Sequence, residues 1–97
     1  MTDEFAIRHE DSGGRGRYVI PLPDGSEAEL TYARRDAATI VADHTGVPPQ
    51  YRNHGLALRL VEAAMADARR AGFRIVPSCS YVAAQFRRHP EGRPRAD

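Results

Sequence analysis

The stretch Val47-Pro48-Pro49-Gln50-Tyr51-Arg52-Asn53-His54-Gly55-Leu56-Ala57 marks the point where the spacing of apolar residues changes. Pro48 and Pro49 have no backbone N–H, so neither can continue a strand ladder. Beyond them, apolar residues recur at the spacing of one helix face: Ala57, Leu60, Val61, Ala64, Met65, Ala68 and Ala71. The stretch therefore separates a strand from an amphipathic helix over residues 57–71, and Gly72 suits the position that ends this helix.

Four segments that precede this stretch have strand character: residues 5–8, 17–20, 28–34 and 39–45. The third segment alternates apolar and polar residues, which is typical of a half-buried strand. Two adjacent glycines in residues 11–14 predict a loop, and Pro23-Asp24-Gly25 predicts a turn. Because the connections are short, the four strands are predicted to form an antiparallel meander.

The predicted helix is followed by a fifth strand over residues 73–77. A strand, a helix and a strand in this order favour a right-handed crossover, with the last two strands adjacent and parallel. Ser80 is the predicted N-cap of a second helix over residues 81–88, which His89-Pro90 should end. The polar residues 91–97 are predicted as a flexible tail. The predicted fold class is α/β, an α+β mixed sheet, in one domain spanning residues 1–97.

The composition excludes several classes of partner and site. Fourteen arginines, no lysine and 13 acidic residues give a net charge of +1, which does not favour a nucleic-acid partner. The single cysteine, Cys79, excludes an internal disulfide and a CxxC metal site, and no metal is predicted. The chain has neither an apolar run of about 20 residues nor a signal-peptide layout, so we expect a cytoplasmic protein without a membrane partner.

The residues at the start of the predicted helix have the features of an anion site. Backbone N–H groups in a first helical turn lack partners within the helix, and they lie at the positive end of its dipole. Gly55 permits close approach of a ligand, and Arg52 is placed to add a charged contact to a phosphate. The alternative is a plain strand-to-helix turn with a surface arginine, and the residues alone leave both interpretations open.

Arg52-Asn53-His54-Gly55-Leu56-Ala57 resembles the Q/R-x-x-G-x-G/A motif of the GNAT (GCN5-related) N-acetyltransferase superfamily. His44-Thr45-x-Val47-Pro48-Pro49 before it is similar to a minimal, small GNAT-like acetyltransferase family with a cysteine in its active-site region, as are residues 76–82 and Arg88-His89-Pro90 after it. The resemblance covers roughly residues 30–90. It implies a sheet that binds acetyl-CoA, with the pantetheine in a gap where the fourth and fifth strands splay apart.

The function implied by this resemblance is transfer of an acetyl group from acetyl-CoA, a co-substrate, to an amine. The acceptor would be a small molecule, a polyamine or an exposed protein amine, and the exposed sheet edges favour a homodimer. The alternative is a module or sensor that binds CoA with little or no transferase activity. The implied cofactor-binding residues are Val47, Arg52, Asn53, His54, Gly55, Leu56, Ala57, Ser78 and Cys79. A backbone N–H near Val47 would support the acetyl carbonyl oxygen.

Cys79 is the candidate catalytic residue, because it stands where the second predicted helix begins and where the splay would open. Three roles stay open: accepting the acetyl group, protonating the CoA thiolate, or lining the cofactor slot. The structural alternative is a cysteine that packs as a small hydrophobe. Phe86 stands near the place of the tyrosine acid of many GNAT enzymes and has no proton to give, which makes Cys79 or Tyr81 the more plausible donor.

A general base is harder to identify, because this chain has Gly46 where several relatives carry glutamate. The glycine would allow a bulge in the strand. Asp43 and His44 are expected to point to opposite faces of strand four, so at most one would reach the cleft. His44 is a candidate base and, alternatively, a packed or solvated histidine. A water chain, or an amine that arrives neutral, would need no protein base. Near the C-terminus, Arg88 or His89 is a candidate phosphate contact, and Arg93 and Arg95 are expected to be solvated.

Overall fold

The computed structural model describes residues 5–88, and a single five-stranded sheet in the order β1-β2-β3-β4-β5 forms its centre. The first four strands pair antiparallel, and β5 pairs parallel to β4. This arrangement confirms the predicted meander with a crossover helix and a parallel fifth strand. The elements are β1 (Arg8–Asp11), β2 (Arg15–Pro21), β3 (Glu27–Asp36), β4 (Thr39–Gly46), a 3₁₀ helix (Pro49–His54), α1 (Leu56–Ala71), β5 (Arg74–Pro77) and α2 (Ser80–Arg88).

The core lies between one face of the sheet and α1. Alternate residues of β3 are buried there, including Leu30 and Tyr32, and they pack against the apolar face of α1. The buried residues of this helix agree with the predicted periodicity: Leu56, Leu60, Val61, Ala64, Met65 and Ala68. Each fully buried leucine or valine contributes about 1.5–3 kcal/mol of transfer free energy. The opposite face of the sheet is largely polar, because most intervening positions of β2 and β3 carry arginine, glutamate or threonine.

Both ends of α1 are set by glycines in the left-handed conformation. Gly55 has φ +68° before the first residue of the helix, and Gly72 has φ +82° after the last. The Gly72 N–H donates to the carbonyl of Ala68 at 2.8 Å, as expected of a helix C-terminus. The predicted end of the helix at Gly72 is therefore confirmed.

The first strand begins three residues later than predicted, at Arg8. The ring of Phe5 instead lies 6.4 Å from that of Tyr51 and 5.7 Å from that of His54. Phe5 and Ile7 both pack at the margin of the core. The apolar residues Phe5 and Ile7 thus pack against the 3₁₀ helix and the core, and residues 5–7 do not pair in the sheet.

The hydroxyls of two buried tyrosines join β2 to α1 and β3 to β1 through hydrogen bonds. Tyr18 donates to Asp67 on α1 at 2.8 Å, and its ring stacks on that of His9 with centroids 4.3 Å apart. Tyr32 donates to Asp11 at 2.6 Å, and Nε2 of His9 lies 2.6 Å from the same hydroxyl. Both tyrosines pack in the core, and each also makes a hydrogen bond that sequence spacing does not reveal.

A bulge interrupts the pairing of β3 with β4. Thr31 pairs with His44 and Tyr32 with Ala42, so that Asp43 is the extra residue. The sequence suggested a bulge at Gly46, but Gly46 pairs regularly with Glu29. The bulge follows directly on Ala42, where the pairing of β4 with β5 also ends.

Candidate functional site

The strands β4 and β5 separate beyond the pair formed by Ala42 and Pro77. From there β4 continues to Gly46, whereas the chain after Pro77 turns into α2. Next to this gap lies a cavity of about 530 Å³, a size typical of small-molecule sites. The residues that line this cavity, called the cleft below, are His44, Thr45, Gly46, Val47, Arg52, Gly55, Leu56, Ala57, Leu58 and Tyr81.

The wall of the cleft on the α1 side is a helix N-terminus. Pro49 begins the 3₁₀ helix, where its missing N–H is not needed, and Gly55 joins this helix to α1. No side chain caps α1. The first-turn N–H groups belong to Leu56, Ala57 and Leu58, and these residues line the cleft. A Cβ added to Gly55 would meet no atom within 4 Å, so the space above this residue is open for a ligand.

The structure brings five of the nine predicted cofactor-binding residues to the cleft: Val47, Arg52, Gly55, Leu56 and Ala57. The other four, Asn53, His54, Ser78 and Cys79, lie outside its lining. His54 is turned towards Phe5, with Nδ1 3.4 Å from the carbonyl oxygen of Tyr51. Leu58 lines the cleft and was missed by the sequence motif, although its position in the first turn of α1 was a usable signal.

Cys79 lies half-buried between β4 and α2. Its N–H donates to the carbonyl of Ala42 at 2.9 Å, and its carbonyl accepts from the N–H of Ala83 at 3.0 Å. Sγ lies 3.5 Å from Oγ1 of Thr45, which lines the cleft. Ser80, the predicted N-cap, is instead the first residue of α2, and Cys79 precedes it. Cys79 therefore lies at the start of α2, and its sulfur contacts the hydroxyl of a residue that lines the cleft.

The thiol of Cys79 is a stronger acid than an ordinary cysteine. Burial raises its pKa, but hydrogen bonds to the sulfur from the Thr45 hydroxyl and from the backbone of Val82, Tyr81 and Thr45 lower it. The net result is a pKa below the usual value, because these donors favour the thiolate. This environment differs from that of a cysteine packed only among apolar groups.

Asp43 and His44 reach the same face of the sheet, because the bulge removes the alternation expected for a regular strand. Asp43 accepts from the hydroxyl of Thr31 at 2.6 Å and from Arg15 at 3.1 Å. The bond from Thr31, together with Arg15, holds the pKa of Asp43 below its usual value despite desolvation. Nε2 of His44 lies 4.0 Å from Oε2 of Glu29, and His44 also lines the cleft. Of the two, only His44 is available to a ligand there.

The second helix contributes one side chain to the cleft. Tyr81 lines it, and burial raises the pKa of this phenol, which keeps it protonated. Phe86 is buried in the core. Arg88 is exposed at the end of α2, and the predictions for His89, Pro90, Arg93, Arg95 and the tail lie outside the described residues.

Two further properties concern residues 5–88 as a whole. Within this range, no group of three or more His, Cys, Asp or Glu side chains has the arrangement of a metal site. None of the helices there has the length and apolar character needed to cross a membrane.

The chain is similar to known proteins in sequence and in fold. The family model described as GCN5-related N-acetyl-transferase matches residues 17–94. The solution structure of a GCN5-like protein from Staphylococcus aureus is similar in fold, with a TM-score of 0.69 and 24% sequence identity over 94% of this chain and 86% of that one. None of the curated proteins compared with the chain matches it. The match to the family model spans most of the chain, which therefore belongs to the GCN5-related N-acetyltransferase family.

Proposed function

We propose that this protein is an acetyl-CoA-dependent N-acetyltransferase that acts on an exposed amine. One observation carries the proposal: a single cleft connects the N-terminus of α1 and Arg52 with the gap between β4 and β5. The end at α1 and Arg52 suits the phosphates of acetyl-CoA, and the end at the gap between the strands suits the pantetheine with its thioester. The predicted cytoplasmic location and homodimer remain predictions within this proposal.

The phosphate end of the cleft combines two kinds of attraction. The N–H groups of Leu56, Ala57 and Leu58 point to where an anion would lie, and the helix dipole adds to their effect. Arg52 makes no ion pair with another residue in the range 5–88, so its guanidinium is available to a phosphate. Asn53 and His54 lie next to lining residues in the sequence, so we assign them supporting positions, and the contact of Ser78 with the cofactor stays a prediction.

The reactive end would need a base for the amine, a donor for the carbonyl oxygen and a proton for the leaving sulfur. His44 is the base that the cleft offers, and its Nε2 lies 4.0 Å from Oε2 of Glu29. The N–H of Val47 is the assigned donor to the carbonyl oxygen, because Pro48 and Pro49 have none. Cys79, in contact with Thr45, acts at the leaving sulfur.

The decisive experiment follows release of free CoA thiol from acetyl-CoA with a panel of small amines, polyamines and peptides. We expect release that depends on one amine class and that falls at least tenfold in His44→Gln. Stabilisation by CoA without thiol release from any amine would overturn the transferase and favour the alternative, a module that binds CoA.

Variants of Cys79 test its part in the reaction. Cys79→Ala and Cys79→Ser are both expected to slow thiol release, and intact-mass analysis of the wild type after exposure to acetyl-CoA should show no stable acetylation. Full rates in both variants would exclude a catalytic role. A mass increase of one acetyl group that disappears in Cys79→Ala would instead identify the thiol as a covalent acceptor.

A further inference from the structure

The sulfur of Cys79 is held from two sides by groups of β4 and α2. The Thr45 hydroxyl lies 3.5 Å from Sγ, and the backbone N–H groups of Val82, Tyr81 and Thr45 are near enough to the sulfur to lower the pKa of the thiol. The backbone of Cys79 is fixed in turn, since its N–H donates to Ala42. The position of the sulfur relative to the cleft is therefore set by hydrogen bonds and not only by packing.

Of the groups that contact this sulfur within residues 5–88, the hydroxyl of Thr45 is the one that can either donate or accept. A backbone N–H can only donate, which suits a thiolate, whereas a protonated thiol also needs an acceptor. Thr45 can accept from S–H and, after rotation about its Cβ–Oγ bond, donate to the thiolate. The side chains of His44, Arg52 and Tyr81, which come to the cleft from β4, the 3₁₀ helix and α2, make none of these bonds.

We propose that Thr45 positions Cys79 as the proton donor to the departing thiolate of coenzyme A, an inference that rests on the proposed acetyl transfer. As the amine nitrogen bonds to the acetyl carbon, the carbon–sulfur bond breaks and its electron pair stays on the leaving sulfur. The Thr45 hydroxyl, which contacts Sγ and belongs to a residue that lines the cleft, then passes its proton to that sulfur and takes up the proton of the Cys79 S–H bond, which breaks. The proton lost by the amine goes to His44 or water, and Cys79 regains a proton from solvent, so no atom is oxidised or reduced.

The acidity of Cys79 fits this direction of transfer. The bonds that surround the sulfur keep the pKa of the thiol below its usual value, in spite of burial. Transfer of a proton from a thiol of lowered pKa to the thiolate of an ordinary thiol is favourable. The lowered pKa would help less if Cys79 acted as a nucleophile, because the nucleophilicity of a thiolate falls as the pKa of its thiol falls.

The first test needs no acetyl-CoA. Because Cys79 is the only cysteine, its rate of alkylation by iodoacetamide can be followed against pH without ambiguity. In Thr45→Val, which preserves shape but removes the hydroxyl, the midpoint of this profile should move to higher pH. Thr45→Ser should restore it, and Thr39→Val, in the same strand but away from the sulfur, should leave it unchanged.

The second test uses the reaction itself. In Thr45→Val we expect kcat to fall at least tenfold with KM for acetyl-CoA within about twofold, and the basic limb of the pH profile of kcat to move to higher pH. With an acetyl thioester of an acidic aromatic thiol, whose leaving group needs no proton, the substitution should lower kcat much less.

The outcomes separate this inference from the proposed function. If Cys79 in Thr45→Val is alkylated with the same dependence on pH as in the wild type, the role of Thr45 is overturned. The same holds if the substitution lowers kcat equally with both thioesters. Neither result would affect the proposed transferase. Absence of CoA release by the wild type with every amine would overturn the proposed function, and this inference with it.

Discussion

At the scale of single residues, the hydroxyl of Tyr18 connects the sheet to α1 through a hydrogen bond to Asp67. Burial and the neighbouring carboxylate raise the pKa of this phenol far above its usual value, so it remains a donor at all ordinary pH. We expect Tyr18→Phe to reduce the free energy of unfolding by about 1–2 kcal/mol, because a hydrogen bond to a charged group is lost. Urea denaturation measures this change.

Tyr51→Phe is the matched control for this substitution. The Tyr51 ring packs against those of Phe5 and His54, but its hydroxyl makes no side-chain hydrogen bond within the described part of the chain. Its free energy of unfolding should change by less than about 0.5 kcal/mol. Equal losses in the two variants would show that the bond to Asp67 contributes no specific stability.

Asp11 makes stability depend on pH in the acid range. Bonds from Tyr32, from the N–H of Gly13 and from Arg34 hold its pKa well below the usual 3.8. A carboxylate whose pKa is lowered by folding contributes stability that is present above the unfolded value and is lost as pH falls through the folded one. We therefore expect Asp11→Asn to be clearly less stable than the wild type at pH 7, and the difference to shrink steadily below about pH 4.

This expectation is checked by urea midpoints of both proteins between pH 7 and pH 2. Glu62→Gln provides the control, because Glu62 is exposed on α1 and has no hydrogen bond or ion pair within residues 5–88. Its midpoint should follow that of the wild type at every pH. A difference for Asp11→Asn that stays constant down to pH 2 would contradict the assigned role of the carboxylate.

At the scale of elements, the two ends of α1 offer a comparison between strain and function. Gly55 and Gly72 both have positive φ, and a Cβ added to either would meet no atom within 4 Å. Alanine in this conformation costs about 1 kcal/mol. Gly55→Ala and Gly72→Ala should therefore lose similar stability by denaturation, but only Gly55→Ala should weaken CoA binding, since Gly55 alone lines the cleft. Equal affinities by calorimetry would remove Gly55 from the proposed site.

Sequence periodicity predicted α1 well, because one continuous apolar face decides where a helix packs. It placed the first strand over residues 5–8, since apolar spacing cannot distinguish a paired strand from a segment whose rings pack elsewhere. The sequence pattern of β4 also gave no sign of the bulge at Asp43, because a bulge depends on the register with the neighbouring strand. That single shift brings His44 and Asp43 to the same face, which no local pattern of β4 indicates.

At the scale of the whole molecule, the candidate site is assembled from distant parts of the chain. The motif at Arg52–Ala57 could be recognised because its residues are adjacent in sequence and start a helix. The contact of Thr45 with Cys79 joins residues 34 positions apart, and it exists because β5 runs parallel to β4 and α2 begins where they separate. Tyr81 lines the cleft for the same reason. Such contacts follow from topology, which the sequence predicts only in outline.

The linkage between ligand binding and global stability gives the last prediction. A ligand that binds only the folded chain stabilises it by about 2.7 kcal/mol at one hundred times its Kd. For a chain of 97 residues, this corresponds to a rise in Tm of roughly 10–20 °C. We expect this rise with CoA in the wild type and in Arg35→Gln, whose arginine lies on β3 away from the cleft. In Arg52→Gln the affinity should fall about tenfold, which reduces the stabilisation by CoA by roughly 1.4 kcal/mol at the same concentration.

Pantetheine, which lacks the phosphates, should stabilise all three proteins equally, because Arg52 would have no anion to contact. A loss of pantetheine binding in Arg52→Gln would instead mean that this substitution perturbs the cleft as a whole.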